Sequence, residues 1–181
     1  MCMDLKWDKV KGQRGKYMTK FEQIINGKIK EAYSIEDLQK KLKPIKEYPF
    51  QDTIKGKLEG EHWRPYKNLK MIKGQYNKNH YIGKEYHNIK EMKVSDLGRV
   101  KVTYDDNKEE ILHQSDDIEI GYLRLPKFPG FGNVYRLVAE TWLTKDNDKR
   151  NIVHHIDNDG YNNKAENLIW VTAEEHAKIH S

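Results

Sequence analysis

Cysteine is almost missing from this chain of 181 residues: Cys2 is its only one. A single thiol makes no internal disulfide framework and no Cys-rich zinc site, and this usage suits a reducing compartment. Long apolar runs are missing too. No stretch approaches the ~18–20 residues that a membrane-spanning helix needs. The first eleven residues include Lys6, Lys9 and Lys11 and lack the apolar centre of a secretory signal. A protein that works inside the cell and off the membrane is expected. Hydrophobic residues make up 36% of the chain and charged ones 34%, so each core must be small. Tyrosine and tryptophan, by contrast, are plentiful at 11 and 4. They combine apolar bulk with a polar handle, which is useful where a thin fold meets a wet partner.

The net charge of +5 conceals an asymmetry. Residues 1–90 carry 21 Lys and Arg against 11 Asp and Glu, a balance of +10. Residues 91–181 carry 12 against 17, a balance of −5. A polyanion would meet the first half. The alternative is a solvated, lysine-rich surface. The length allows one ordinary domain or two small ones.

The densest pattern lies in residues 151–181. Ile152, Val153 and Ile156 flank the pair His154 and His155 in a short strand. Asp157 to Asn167 is mostly Asp, Asn and Gly, which is turn chemistry. Leu168 to Val171 is an apolar run long enough for one buried strand. Thr172 and Glu175 then have the spacing of a capping box. In the helix it opens, His176 and His180 share a face. A hairpin end offering two imidazoles, packed on a helix offering two more, can converge on one point. Neutral imidazole is both a metal ligand and a general base near neutral pH.

This series of residues resembles the HNH nuclease motif, a ββα-metal fold. The resemblance implies that His154 stands at the first metal-ligand position and His155 at the general base. It places Asn167 at the middle asparagine, which orients the hairpin and the His155 ring by hydrogen bonds, and His176 at the last ligand. His180 matches a further ligand of the bacteriocin branch. As the penultimate residue it is equally readable as a surface histidine at a fraying helix end. With the pair Asn162 and Asn163, the stretch is also similar to the phage and intron homing-endonuclease branch. The family implies one divalent ion, commonly Mg²⁺, and products with a 5′-phosphate and a 3′-hydroxyl. His ligands suit Mn²⁺, Co²⁺, Ni²⁺ or Zn²⁺ better, since Mg²⁺ prefers oxygen, so the metal stays open. Asp157 and Asp159 read as loop formers.

The rest of the chain reads as lead-in and recognition. Residues 1–20 are expected to be a basic arm. Residues 21–72 read as a small α+β unit: a hairpin turning at Asn26-Gly27, a helix Ile35–Leu42 opened by Ser34, and a second helix about Phe50–Leu58. This unit resembles the helix–turn–helix repeats joined to HNH homing nucleases, which implies that Lys55 and Lys57 face DNA on the second helix. Residues 73–84 read as a linker. Residues 85–128 are expected to be short strands, including Ile118–Leu125. Val94 to Val100 resembles the strand–turn–strand domain that precedes HNH in phage homing nucleases. That likeness makes Arg99, Lys101, Arg124 and Lys127 candidates for phosphate contact, the alternative being that they solubilise an edge. Residues 133–143 read as a helix with Asn133 as N-cap and Val134, Leu137, Val138 and Trp142 on one stripe. Its Arg136 could point toward DNA.

The expectation is therefore an α+β chain: a C-terminal ββα-metal HNH unit over 129–181, preceded by a small antiparallel β segment and an N-terminal helix–turn–helix-like unit. The expected function is site-directed, metal-dependent hydrolysis of double-stranded DNA, with no small-molecule substrate and no membrane. One site per chain suits a monomer or weak dimer. The resemblance implies a phage or mobile element acting in the cytoplasm of a bacterial host. The alternatives are a restriction- or packaging-associated HNH nuclease, and a DNA-binding module whose hairpin and helix do no chemistry.

Overall fold

The computed structural model describes residues 5–11, 17–25, 28–42, 56–78, 85–116, 119–145 and 148–181. The fold is α+β. Strands β1 (Leu5–Lys11), β2 (Tyr17–Ile25) and β3 (Lys28–Ser34) form an antiparallel sheet in that order. The expected hairpin joins β2 to β3. Residues 5–11 and 17–20 are strands, however, where a basic arm was expected. The register sets Trp7 opposite Phe21 and Phe21 opposite Tyr33.

Ser34 ends β3 and caps α1 (Ile35–Lys41). The Asp37 amide donates to Ser34 Oγ at 3.1 Å, and the Ser34 amide donates back to Asp37 Oδ2 at 3.0 Å. This reciprocal cap satisfies two helix-end donors. Leu38 is buried beneath it. Most of the expected second helix, Lys55 included, lies outside the described residues. Residues 56–58 are not helical, and Lys57 is exposed there.

A second antiparallel sheet has the order β4 (Trp63–Pro65), β5 (Ile89–Ser95), β6 (Val100–Tyr104) and β7 (Glu109–Ile111). Between β4 and β5 runs α2 (Leu69–Lys78). Residues 73–78 are thus helical where a linker was expected. Leu69 and Ile72 are buried, and Tyr76 stacks on Tyr86 at 5.5 Å, so the apolar stripe crosses the expected boundary. The strand expected over 118–125 is also absent among the described residues. Arg124 makes only isolated bridges, to Ser115 and Asn133. Its neighbours turn instead: Asp116 Oδ1 accepts from the Ile120 amide at 2.9 Å, Oδ2 accepts from the Gly121 amide at 2.8 Å, and Gly121 has φ +82°.

Helix α3 (Val134–Trp142) follows the predicted stripe, with Val134, Leu137, Val138 and Trp142 buried. Asn133 holds the N-cap position, but its side chain makes no cap; its Oδ1 accepts from Arg124 Nε at 3.3 Å. Trp142 Nε1 donates to Val94 O at 3.1 Å, which fixes α3 on β5. Truncating a core Trp of this kind costs about 3–5 kcal/mol. The hairpin β8 (Ile152–His155) and β9 (Leu168–Val171) packs on α3, and α4 (Ala173–Ile179) closes the chain. Gln39 Nε2 of α1 donates to Lys178 O of α4 at 2.6 Å. One cluster of buried side chains runs from Ile25 to Ile179, so the segments share a core. No helix among the described residues is long and apolar enough to cross a membrane.

Candidate active site

Strand alternation sends the two histidines at the end of β8 to opposite faces. His154 meets α4, where His176 and His180 lie one turn apart. The three rings approach edge to face: His154 and His176 at 5.7 Å, His154 and His180 at 5.1 Å, His176 and His180 at 4.6 Å. A nitrogen of each lies within 4.8 Å of the others. The capping box that starts α4 sets this position: the Glu175 amide donates to Thr172 Oγ1 at 3.1 Å, and the Thr172 amide donates to Glu175 Oε2 at 2.9 Å. The His180 amide donates to His176 O at 3.2 Å, so the last imidazole is held by a closed helical turn.

His154 is 2% exposed, and its Nε2 is buried without a hydrogen-bond partner. A buried ring nitrogen left unbonded costs free energy. A divalent cation of borderline softness would satisfy it together with the two neighbouring imidazoles. Burial, then the proximity of His180, His176 and His155, pushes His154 down to about 3. Burial and His180 lower His176 as well. Neutral imidazole is the form that binds metal. The group could therefore hold a divalent ion.

His155 faces the other way and is also buried, which lowers its pKa, while a hydrogen bond with Asn163 raises it in part. Its Nε2 lies 2.9 Å from Asn163 Oδ1. Tyr122 stacks on the ring at 5.8 Å, and Tyr135 meets it edge-on at 5.1 Å. Asn167 was expected to hold both the hairpin and this ring. Its amide ties the loop instead: Nδ2 donates to Asp157 Oδ1 and Asn162 O, both at 2.9 Å, and Oδ1 accepts from the Asp157 amide at 3.2 Å. The described hydrogen bond on the His155 ring belongs to Asn163. Sequence reasoning noted the Asn162–Asn163 pair without assigning it this contact, and it missed Tyr122 and Tyr135. Seven residues separate His155 from Asn163, and no periodicity reports such a closure.

The cations expected on DNA divide sharply. Arg99 is 1% exposed and its fork is spent inside the fold. Nε donates to Glu61 Oε2 at 2.8 Å, and Nη2 donates to Glu61 Oε1 and, at 2.6 Å, to Gly56 O. Burial alone would raise the Glu61 carboxyl; the Arg99 hydrogen bonds and charge outweigh it and hold the group low. Arg99 thus braces the fold, which corrects its expected place on DNA. Lys101 lies 4.6 Å over the Trp63 ring and 3.8 Å from Glu109. Arg124 is half-buried against Asn133. Arg136 is exposed, with Nε on Glu140 Oε1 at 3.2 Å and Nη1 on Asn151 O at 3.3 Å.

The chain is similar to an HNH endonuclease. It is 37% identical over 91 residues to a protein named as an uncharacterized HNH endonuclease of Acanthamoeba polyphaga mimivirus. The match covers 47% of this chain and 22% of the relative, so the chain spans about a fifth of that protein's length. No protein-family model matches the chain. No solved structure matches it either. The relative's name supports the HNH resemblance and suggests a nuclease.

Proposed function

We propose that this chain is a metal-dependent HNH endonuclease that hydrolyses a phosphodiester of double-stranded DNA to a 5′-phosphate and a 3′-hydroxyl. The observation that carries the reading is the convergence of His154, His176 and His180 within 4.8 Å, with His155 buried on the opposite face of the same strand end. His154, His176 and His180 would hold the ion, which supplies Lewis-acid neutralisation of phosphate charge when bound. His155, kept neutral by burial, takes a proton from the attacking water. Asn167 holds the loop between β8 and β9 so that both histidines keep their places. Lys101, Arg124 and Arg136 contribute to phosphate contact, and Lys55 and Lys57 extend it toward the first half of the chain, where the positive charge lies.

The homing type, with a site-directed cut and a mobile-element origin, is the finer part of this proposal. The viral source of the relative supports it. A single hydrolytic site per chain favours nicking. The test is supercoiled plasmid cleavage with Mg²⁺ or Mn²⁺, with EDTA, and with His155→Ala. Metal-dependent relaxation that disappears in the variant is expected. DNA binding without cutting, under every metal and on a phage-genome substrate, would overturn the reading.

A further inference from the structure

We propose that Asn163 is the positioning residue of His155: its side-chain oxygen holds the hydrogen on Nε2 and leaves the lone pair on Nδ1. The role rests on the reading of His155 as the base. A carbonyl oxygen offers no hydrogen, so a ring nitrogen 2.9 Å from Asn163 Oδ1 is the donor. Neutral imidazole carries one hydrogen on its two nitrogens. Fixing it on Nε2 therefore makes Nδ1 the acceptor of the water proton. The two tyrosines flank the ring, and the bond to Asn163 fixes its turn about Cβ–Cγ. Asn167 has no part in this contact, because its amide atoms are engaged on Asp157 and Asn162.

Asn163 is itself fixed from outside the hairpin. The turn between β5 and β6 presses on it: a Cβ added at Gly98, whose φ is +91°, would lie 3.1 Å from Asn163 O. Gln114 Nε2 donates to Gly98 O at 2.8 Å and keeps that turn in place. Two residues beyond Asn163, the Ala165 amide donates to Asp96 O at 2.8 Å. The asparagine and the residue two beyond it are thereby held against one turn. Its Nδ2 is buried without a partner, so the oxygen is the atom of this amide that makes a described bond. A residue kept only to fill space would not need that oxygen.

The test uses the full chain with Asn163→Leu and Asn163→Asp, each checked by thermal melting for a folded state. Long-range proton–nitrogen NMR at about pH 8, where ordinary histidines are neutral, reads the tautomer of His155. Wild type and Asn163→Asp should show the hydrogen on Nε2; Asn163→Leu should show a mixture. On supercoiled plasmid with Mn²⁺, Asn163→Leu should lower kcat by about 100-fold with KM within about twofold, and Asn163→Asp should restore most of it. An unchanged tautomer or kcat in Asn163→Leu would overturn the proposal, as would an Asn163→Asp variant no better than Asn163→Leu. A wild type that cuts no DNA would remove the base from His155 and this role with it, whatever the tautomer, and that outcome is distinguishable from the others.

Discussion

Tyr161 donates to Asp116 across 45 residues of sequence, O to O at 2.6 Å, and so ties the turn before Tyr122 to the loop before Asn163. The same Asp116 carboxylate organises the Ile120 and Gly121 amides. The Tyr161 hydrogen bond, with those of the amides, holds its pKa below the ordinary carboxylate range. Tyr122 and Asn163, which both touch His155, thus lie on segments joined by one side-chain contact. Tyr161→Phe removes the hydroxyl and keeps the ring. We expect a drop in kcat of roughly 3- to 10-fold with unchanged plasmid affinity, read by nicking kinetics and a binding assay. Equal kcat in both proteins would show that the two loops are held without this bond.

The three imidazoles should differ in their effect on metal. His154→Ala and His176→Ala should each weaken Ni²⁺ or Zn²⁺ binding by at least about 10-fold, measured by titration calorimetry. For the wild type, metal at 100 times its Kd should stabilise the fold by about 2.7 kcal/mol. That increment should shrink in either variant. His180→Ala tests a residue at the end of α4, and unaltered affinity there would reduce the ligand set to two.

Metal-free protein should lose stability as pH falls. The folded His154 lies near 3, below the ordinary value of about 6.5 for the unfolded chain. Between these values the unfolded state binds the extra proton, so stability rises with pH across that window and is complete above it. His155 and His176 shift in the same direction. Urea midpoints in EDTA, measured from pH 8 down to 5 at about one-unit steps, should begin to fall near about pH 6.5. His154→Asn should flatten the slope. A flat wild-type profile would mean that these rings accept protons as easily folded as unfolded.

Arg99 and Arg136 should separate stability from binding. Arg99→Ala leaves Glu61 charged and buried, at a cost of about 3–5 kcal/mol in urea unfolding. Arg136→Ala touches an exposed cation and should leave stability within about 0.5 kcal/mol. It should instead reduce the salt slope of DNA binding by about 1. An Arg99 variant that stays fully stable but loses DNA would restore the sequence-based expectation.

The C-terminal elements were legible because short-range rules govern them. The Thr172–Glu175 cap, the Leu168–Val171 run and the His176–His180 spacing all act within one turn or one strand. The meeting of His154 with that helix followed from chain order. What stayed hidden depends on distant partners. Arg99 looks like a surface cation until Glu61, 38 residues earlier, is seen to bury it. Residues 73–78 look like a linker by composition, yet Tyr86 and Gly130 receive Tyr76. The Ile118–Leu125 run has strand-like residues, but Asp116 spends the local amides on a turn.

The seven residues of α4 are too few to persist as a helix alone. They are held by a cap at one end and by α1 along one side, through Gln39 on the Lys178 carbonyl. The same short helix carries His176 and His180. An ion that braces those rings is expected to slow amide exchange in α1 as well. By reciprocity, a change that steadies α1 is then expected to tighten the grip on the ion. If that contact couples the two helices, a proton-exchange map will show α1 and α4 opening and closing together.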